Sequence, residues 1–254
     1  HDCIAATMGR TGKIIFPDIK KVLVRSANWV GDAVMSLPAI SSIRQSLPQA
    51  EIAILAKPWV AEIFRNNRIV DRVILYDGHG IHQGIQGKWR LAKELKNEKF
   101  DLAVLLQNAF EAAFISYAAR IPRRAGYDTD GRSLLLTHAV TCNQEIEKNH
   151  QIDYYLGMVE SLGFLRAGRI PHLWVSPEKQ EEACRILHSL GVKETEEIIG
   201  ISPGATYGSA KQWFPERYGK LAEKIGKELG TRILIFGSRG DKEVGLQVCH
   251  NSGV

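Results

Sequence analysis

The chain has 254 residues, of which 44% are hydrophobic and 24% are charged. This balance is typical of a globular protein and excludes a disordered or collagen-like chain. The 33 basic and 28 acidic residues leave a formal net charge of +5, which suits a protein that handles anions such as phosphates, nucleotides or lipid headgroups. The four cysteines form no C-x-x-C pair, which argues against a zinc site or a disulfide framework and favours a reducing compartment.

The amino-terminal segment shows no targeting signal. Residues 1–19 have neither the apolar core nor the cleavage site of a secretory signal peptide, so we expect an extension or a disordered segment there. A run of about 18 uninterrupted apolar residues is also missing from the sequence, and we therefore expect no membrane-spanning helix.

In chain order, short β-branched strands alternate with helical patterns. The predicted strands of the first part cover residues 21–25, 51–56, 72–75 and 101–106, and the predicted helices cover residues 31–45, 59–66, 88–97, 110–120 and 150–163. Pro38 is expected to kink or restart the first of these helices. The alternation predicts parallel β-α-β units in a doubly wound α/β sheet.

The predicted helix at residues 110–120 carries an aromatic-rich stripe. It consists of Phe110, Ala113, Phe114 and Tyr117. These positions are spaced i, i+3, i+4 and i+7, which places them on one helix face and predicts a stripe that faces the core. A stripe that contacts a membrane is the alternative.

A second series of elements follows. Its predicted strands cover residues 198–202 and 232–236, and its predicted helices cover residues 178–190, 215–229 and the segment from about 241. We place an N-terminal Rossmann-like domain at residues 20–170 and a C-terminal one at residues 171–254. Because two strands make a poor sheet on their own, we expect the second domain to be partial in this chain.

The loop after the first strand ends in a carboxylate at a helix start. It contains Asn28, Trp29, Gly31 and Asp32. A single glycine does not make the dinucleotide-binding fingerprint of a dehydrogenase. Asp32 is either a helix cap or first-turn residue favoured by the helix dipole, or a general base at the carboxyl edge of the sheet, where open α/β proteins bind ligands.

The loop at residues 202–215 is rich in hydrogen-bond donors. It contains Gly204, Thr206, Gly208, Ser209 and Lys211 between a strand and a helix. Backbone N–H groups, hydroxyls and an ammonium group can converge on a phosphate at such a place. The alternative is a plain turn with a solvated lysine.

Two further segments carry carboxylates. In the loop at residues 236–243, Asp241 and Glu243 either contact a ribose or base, or serve as a helix cap and an exposed first-turn residue. The D-x-D triplet of Asp128, Thr129 and Asp130 resembles a metal-binding motif, but its surroundings are typical of a polar turn. The histidines show no ligand spacing, so we expect no metal site.

Arginines crowd into a short segment late in the first domain. They are Arg120, Arg123, Arg124 and Arg132. A solvated surface explains them most simply. The alternative is a patch that receives a phosphorylated acceptor.

Four ordered motifs together resemble one family. They are N-W-V-G-D at residues 28–32, T-D-G-R at 129–132, H-Q-I-D-Y-Y-L at 150–156 and S-P-G-A-T-Y-G-S-A-K-Q-W-F-P at 202–215. They resemble the ADP-heptose:lipopolysaccharide heptosyltransferases of type II, in glycosyltransferase family 9. The resemblance implies a GT-B fold, in which two Rossmann-like domains face a cleft. The family's D-S-G-x-x-H nucleotide-binding motif does not occur in this sequence.

The resemblance also implies roles for individual residues. Asp32 would be the catalytic base. The donor nucleotide sugar would be bound by Gly204, Thr206, Tyr207, Ser209, Lys211 and Glu243, and the acceptor by Asn28, Trp29, Arg124 and Arg132. The implied activity is an inverting transfer of heptose from ADP-heptose to the inner-core heptose of lipopolysaccharide. The alternatives are another GT-B nucleotide-sugar enzyme, with a different donor or an epimerase activity, and a non-catalytic two-lobed binding protein. ADP-heptose would be a substrate and not a cofactor, and the acceptor a lipid-linked core oligosaccharide. The resemblance further implies a cytoplasmic protein, peripheral to the inner face of the cytoplasmic membrane, with no nucleic-acid partner.

Overall fold

The computed structural model describes residues 18–205 and 209–252. Contacts divide the chain into two compact units, His1–Ser176 and Pro177–Val254, which we call unit 1 and unit 2. Among the described residues, no helix combines the length and the apolar character that crossing a membrane requires.

Unit 1 contains a six-stranded parallel sheet in the order β3-β2-β1-β4-β5-β6. Its strands are β1 (Lys21–Arg25), β2 (Glu51–Ala56), β3 (Arg72–Leu75), β4 (Leu102–Leu105), β5 (Arg123–Tyr127) and β6 (His138–Val140). Its helices are α1 (Val30–Ser46), α2 (Pro58–Ala61), α3 (Gly84–Glu98), α4 (Phe110–Ala118), α5 (Gln144–Glu147) and α6 (Gln151–Ser161). The predicted parallel α/β sheet is confirmed. Its strand order reverses beside β1, the place where open α/β sheets form a ligand crevice.

Helices cover both faces of this sheet. Val22 and Val24 of β1 contribute to one apolar cluster, whose helical residues come mainly from α1 and α6. Leu23 belongs to the other cluster, with α3 and α4. Successive strand side chains point to opposite faces, so a strand covered on both sides must be apolar at every central position.

Helix α1 runs unbroken from Val30 to Ser46 through Pro38, so a restart of the helix is wrong, and the alternative of a kink at Pro38 stays a prediction. Proline in a helix interior removes one backbone hydrogen bond and costs about 3 kcal/mol. Pro38 is buried, and α1 packs along α6 in the core. Burial of this helix outweighs the local cost, because tertiary packing supplies most of the stability of a helix in a protein.

The buried face of helix α4 differs from the face that the sequence predicts to be buried. Ala112, Ala113, Ile115 and Ser116 are buried, whereas Phe110 and Tyr117 are about half exposed. The core-facing stripe is therefore wrong for Phe110 and Tyr117. The alanines and Ile115 face the core, Phe114 is partly buried against it, and the rings of Phe110 and Tyr117 lie on the outer side of the helix.

Strands β5 and β6 have no counterpart among the predicted elements. The first two residues of β5 are Arg123 and Arg124, and β6 is only three residues long. A pair of arginines opposes a strand assignment, yet both side chains are partly buried and Arg124 Nε donates to the carbonyl oxygen of Leu135 at 2.6 Å. Sheet pairing and this tertiary bond determine the strand.

Unit 2 contains the parallel pair β7 (Ile198–Ile201) and β8 (Arg232–Ile235). Its helices are α7 (Pro177–Ser189), α8 (Pro215–Leu229) and α9 (Lys242–Asn251). Short 3-10 turns at Ser209–Lys211 and Arg239–Asp241 lie in the segments that follow β7 and β8. Helices α8 and α9 pack against each other.

Candidate active site

The carboxyl end of β1 is built around a buried arginine. Arg25 is only 2% exposed, and its guanidinium donates to the carbonyl oxygen of Ser26 at 2.6 Å and to Oδ1 of Asn28 at 2.7 Å. Burial lowers the pKa of Arg25 to about 10, so it stays cationic at neutral pH. The side chain thus holds the loop that leads to α1. In the sequence, Arg25 could have been recognised as a functional candidate because it is a cation at the end of an otherwise apolar strand segment.

Two tryptophans lie at the same edge of the sheet. Trp29 precedes α1, and Trp59 lies in α2, directly after β2. The indole Nε1 of Trp59 donates to the carbonyl oxygen of Asn28 at 2.8 Å. Both indole rings are about half exposed. Asn28 and Trp29, which were predicted as site residues, precede Asp32 in the same segment and share this edge with Trp59. Trp59 was not among the predicted site residues.

Asp32 is the third residue of α1 and is partly buried. The cap position belongs to Trp29, and no side chain caps the helix there. Burial raises the pKa of the Asp32 carboxyl, and within the described part of the chain it has no hydrogen-bonding or ion-pair partner. Burial also raises the pKa of Tyr155 in α6 to about 12, with a smaller contribution from the charge of Asp32. An unengaged carboxylate made more basic by its surroundings has the properties of a general base.

A charged network extends from the end of β2 to α4. The ammonium of Lys57 lies 3.6 Å from the ring centroid of Tyr76, whose hydroxyl donates to Oε1 of Glu111 at 2.5 Å. Lys88 pairs with the other oxygen of Glu111 at 2.6 Å. Burial lowers the pKa of Lys57, and the nearby charge of Arg25 lowers it further. The sequence signal for Lys57 and Tyr76 is their position directly after the strands β2 and β3.

The structure does not bring Arg132 to a ligand-facing position. Its side chain is fully buried and donates to the carbonyl oxygens of Tyr127 at 2.8 Å and Gln107 at 2.5 Å, and to Oδ1 of Asn108 at 3.1 Å. Burial lowers its pKa to about 10. Arg132 joins the loops after β4 and β5, which does not agree with the expected direct contact to an acceptor.

Arg124 is also separated from the other predicted acceptor residues. It is the second residue of β5 and pairs in register with Ala103, near the start of β4. Its guanidinium donates to the carbonyl oxygens of Ile121 at 2.5 Å and Leu135 at 2.6 Å. Because Asn28 follows the carboxyl end of β1, Arg124 lies toward the opposite edge of the parallel sheet. The structure therefore does not support grouping Arg124 with Asn28.

The D-x-D triplet forms a turn held by backbone contacts. Oδ1 of Asp128 accepts from the N–H of Cys142 at 2.9 Å, and Oδ2 of Asp130 accepts from the N–H of Phe110 at 2.6 Å. Among the described residues, no group of three or more His, Cys, Asp or Glu side chains is placed to hold a metal ion.

In unit 2, the loops after β7 and β8 approach closely. A Cβ atom added to Gly204 would lie 2.2 Å from Oδ1 of Asp241, so a larger residue at this position would displace the Asp241 carboxylate. The Asp241 carboxylate accepts from the N–H of Ser238 at 2.8 Å and from its hydroxyl at 2.7 Å, and these bonds lower the pKa of Asp241. The Asp241 carboxylate thus completes a capping box on the 3-10 turn Arg239–Asp241. Within the residues that the structure describes, it makes no capping hydrogen bond at the start of α9, the helix that it was expected to cap.

The remaining predicted donor residues differ in what the structure describes of them. Lys211 is exposed in the 3-10 turn after β7, a turn that begins at Ser209. Glu243 is exposed in the first turn of α9. Thr206 and Tyr207 lie outside the described residues.

Comparison with known proteins supports a common origin with heptosyltransferases. The chain is 29% identical over 233 residues to lipopolysaccharide heptosyltransferase 2 of Salmonella typhimurium and 28% identical over 233 residues to that of Escherichia coli. Each alignment covers 90% of this chain and 66% of the relative. The chain therefore spans slightly less than two thirds of the length of these curated relatives.

Solved structures show the same fold. The E. coli ADP-heptose lps heptosyltransferase II superposes with a TM-score of 0.76 at 26% identity, covering 91% of this chain and 68% of that one. A glycosyl transferase family 9 protein from Veillonella parvula gives a TM-score of 0.83 at 21% identity, covering 94% of this chain and 69% of that one. The fold is thus a GT-B-like α/β fold.

The family match covers most of the chain. The profile of glycosyltransferase family 9 (heptosyltransferase) matches residues 88–251, from within α3 to the end of α9. This range includes the loops after β4, β5, β7 and β8 whose contacts are given above. The chain belongs to glycosyltransferase family 9, the heptosyltransferase family.

Proposed function

We propose that this protein transfers a heptose from ADP-heptose to the inner-core heptose of lipopolysaccharide, with inversion at the anomeric carbon. The names of its relatives support this substrate class. The proposal includes the GT-B arrangement, with the acceptor bound by unit 1 and the nucleotide sugar bound by unit 2.

Asp32 acts as the base in this proposal. Its carboxylate takes the proton from an acceptor hydroxyl while that oxygen attacks the anomeric carbon of the donor. The bond between the anomeric carbon and the phosphate oxygen breaks, and ADP leaves with the electron pair. The raised pKa and the unengaged carboxylate of Asp32 support this role.

Unit 2 stabilises the charge that develops on ADP. Lys211, Thr206 and backbone N–H groups of the loop after β7 would contact the diphosphate. Gly204, Tyr207 and Ser209 of the same loop would also bind the donor. Glu243 would contact the ribose or adenine. Fixed donors placed where charge develops can supply several kcal/mol of transition-state stabilisation. ADP is a good leaving group, so the proposal requires neither a metal ion nor a general acid.

The acceptor would be the lipid-linked core oligosaccharide. Asn28 and Trp29 remain its proposed contacts in unit 1, and the cation of Lys57 lies at the same sheet edge. Lys57 is better placed for an anionic acceptor than Arg132, which is fully buried. We further propose a cytoplasmic protein that is peripheral to the inner face of the cytoplasmic membrane and has no nucleic-acid partner.

The half-buried carboxylate of Asp32 at the carboxyl edge of a family 9 sheet is the observation that carries this proposal. The test is a donor comparison with purified protein, in which ADP-heptose and UDP-sugars are offered with a heptose-terminated acceptor. Heptosylated acceptor and released ADP in equal amounts, from ADP-heptose alone, are the expected products. Transfer from a UDP-sugar, or no preference between donors, would contradict the proposal.

A further inference from the structure

The outer side of α3 and α4 exposes a group of large apolar side chains, which we call the aromatic face. It consists of Ile85 and Trp89 of α3 and Phe110, Phe114 and Tyr117 of α4. Ile85 is 75% exposed, Trp89 53%, Phe110 46% and Tyr117 54%. The rings of Trp89 and Phe114 meet edge to face with their centroids 5.6 Å apart, which joins the two helices into one surface.

Four of the five residues of this face lie outside the core. Helix α3 buries Leu91, Ala92 and Leu95 against the sheet, and α4 buries Ala112, Ala113 and Ile115. Of the aromatic face, Phe114 alone is also packed, partly buried, against the same cluster. Grouped exposed apolar side chains on a water-soluble unit mark an interaction site more often than single ones do.

The charge around the face is strongly positive. Residues 81–124 contain eight basic and four acidic side chains, so this segment carries +4 of the formal +5 of the chain. Arg90 and Arg120 are exposed, and the guanidinium of Arg124 lies 5.3 Å from the ring centroid of Tyr117. Exposed aromatic side chains beside cationic ones are complementary to the surface of an anionic lipid bilayer, which has charged headgroups over an apolar interior.

The four acidic side chains of the segment are already engaged. Glu111 is paired with Lys88, and Glu98 is paired with Arg72. Glu94 lies 3.2 Å from the ring nitrogen of His82, and Asp101 accepts from the backbone N–H groups of Lys20 and Lys21 at 2.8 Å. None of these four carboxylates pairs with Arg90, Arg120 or Arg124 in the described part of the chain, and the segment's net charge stays +4.

A cavity of about 410 Å³ lies at one end of the face. Its lining includes Trp89, Tyr117, Ile121, Arg120 and Arg124. Indole and phenol rings prefer the interfacial layer of a membrane, and arginine binds phosphate through a planar pair of N–H groups. The cavity therefore combines the groups that a phosphate-bearing lipid headgroup requires.

We propose that the aromatic face docks unit 1 onto an anionic phospholipid surface. Trp89, Tyr117 and Ile85 enter the interfacial layer, while Arg90, Arg120 and Arg124 attract the lipid phosphates. This inference rests on the membrane location given under the proposed function and names the surface that makes the contact.

The position of the face suits a lipid-linked acceptor. Helices α3 and α4 both start near the carboxyl edge of the sheet, the edge that carries Asn28 and Asp32. Glu111 links the two regions, since it binds Tyr76 at that edge and Lys88 of α3. A membrane that contacts the first turns of α3 and α4 therefore lies beside this edge, whereas the cavity lined by Arg124 lies toward the opposite edge.

Sedimentation with lipid vesicles tests the proposal. Vesicles of phosphatidylcholine alone are compared with vesicles that also contain phosphatidylglycerol, at low and high salt. The chain is expected to bind the anionic vesicles and to be released by salt. The double variant Trp89→Gln with Tyr117→Gln should bind at least about tenfold more weakly. Arg120→Gln should bind about fivefold more weakly, the effect of one basic residue near an anionic surface.

Matched controls lie in unit 2. Ile186→Gln removes an exposed aliphatic side chain of α7, and Lys224→Gln removes an exposed cation of α8. Both should bind vesicles like the unsubstituted chain. Ile85→Gln, at the most exposed position of the face, replaces the double variant if loss of the contact between Trp89 and Phe114 unfolds that protein.

Equal vesicle binding by the face variants and the controls would overturn the proposal. So would a change of oligomeric state in the face variants, measured by light scattering, because that result assigns the face to a second copy of the chain. Transfer to a de-acylated acceptor separates this proposal from the proposed function. The face variants should keep the unsubstituted rate in that assay, whereas failure of the unsubstituted protein there would count against the proposed function alone.

Discussion

The indole Nε1 of Trp59 donates a hydrogen bond of 2.8 Å to the carbonyl oxygen of Asn28. This bond joins the segment after β2 to the loop after β1. Since Asn28 is followed closely by α1, the bond helps to fix the start of the helix that carries Asp32. Trp59 is thus a positioning residue for the proposed base.

Trp59→Phe removes this hydrogen bond and keeps an aromatic ring. We expect kcat to fall about two- to tenfold, the effect of one hydrogen bond worth about 0.5–1.5 kcal/mol. The KM for the donor should not change. Steady-state kinetics of the variant check this prediction, with Trp174→Phe as the control because Trp174 stacks on Arg68 instead. Equal kcat values for the two variants would show that Trp59 does not position Asp32.

Arg132→Ala should lower the free energy of unfolding by about 2–3 kcal/mol, because it leaves the buried carbonyl groups of Gln107 and Tyr127 without their donor. Urea denaturation measures this loss. Arg120→Ala, at an exposed position, should change the stability by less than about 0.5 kcal/mol. If the Arg132→Ala protein is instead stable and has a raised KM for the acceptor, Arg132 contacts the acceptor directly.

Asp32→Asn should be more stable than the unsubstituted protein at pH 7. Burial raises the pKa of Asp32 in the folded state, so ionisation of this carboxyl opposes folding. Below the pKa of Asp32 in the unfolded chain, the carboxyl is protonated in both states and costs no stability. As the pH rises through the higher pKa of the folded protein, this part of the folding free energy is lost. The difference between the two proteins should therefore appear at neutral pH and vanish below the ordinary value of 3.8.

Thermal unfolding at several pH values measures that difference. Asp153→Asn is a suitable control, because Arg169 and Arg166 hold the pKa of Asp153 below its ordinary value. That control should show the opposite sign at neutral pH. A destabilised Asp32→Asn protein at pH 7 would show that the carboxylate serves as a stabilising first-turn residue.

Lys211→Ala should weaken ADP binding by about 10- to 100-fold if its ammonium contacts the diphosphate, since a hydrogen bond to a charged group contributes about 1.5–3 kcal/mol. Titration calorimetry with ADP measures the change. Lys220→Ala, an exposed lysine of α8, provides the control for loss of one positive charge. Equal affinities for the two variants would exclude Lys211 from the donor site.

Local sequence determines much of this fold. Strands β1, β2 and β3 and helix α8 occupy the predicted residues, since each has a strong apolar pattern and clear end signals such as Pro215 at the start of α8. The short strands β5 and β6 lack such a pattern. They exist because neighbouring strands and the contacts of Arg124 complete the sheet.

The candidate site divides in the same way. The position of Asp32 at the carboxyl edge was predictable because it follows the first strand of an α/β sheet, and its role as the base stays a prediction. The burial of Arg132 and the network from Lys57 through Tyr76 to Glu111 were not predictable, since they join residues far apart in the chain. The prediction that Phe110 and Tyr117 of α4 face the core was wrong for a related reason. Helical spacing shows which residues share a face, whereas the fit against the sheet decides which face is buried.

The kcat of Asp32→Asn with ADP-heptose and a heptose-terminated acceptor tests the central claim most directly. Asparagine keeps the size of the side chain and cannot take the proton. We expect kcat to fall by about 10²- to 10⁴-fold, the usual contribution of a general base, with the affinity for ADP unchanged. Turnover at the rate of the unsubstituted protein would contradict that claim.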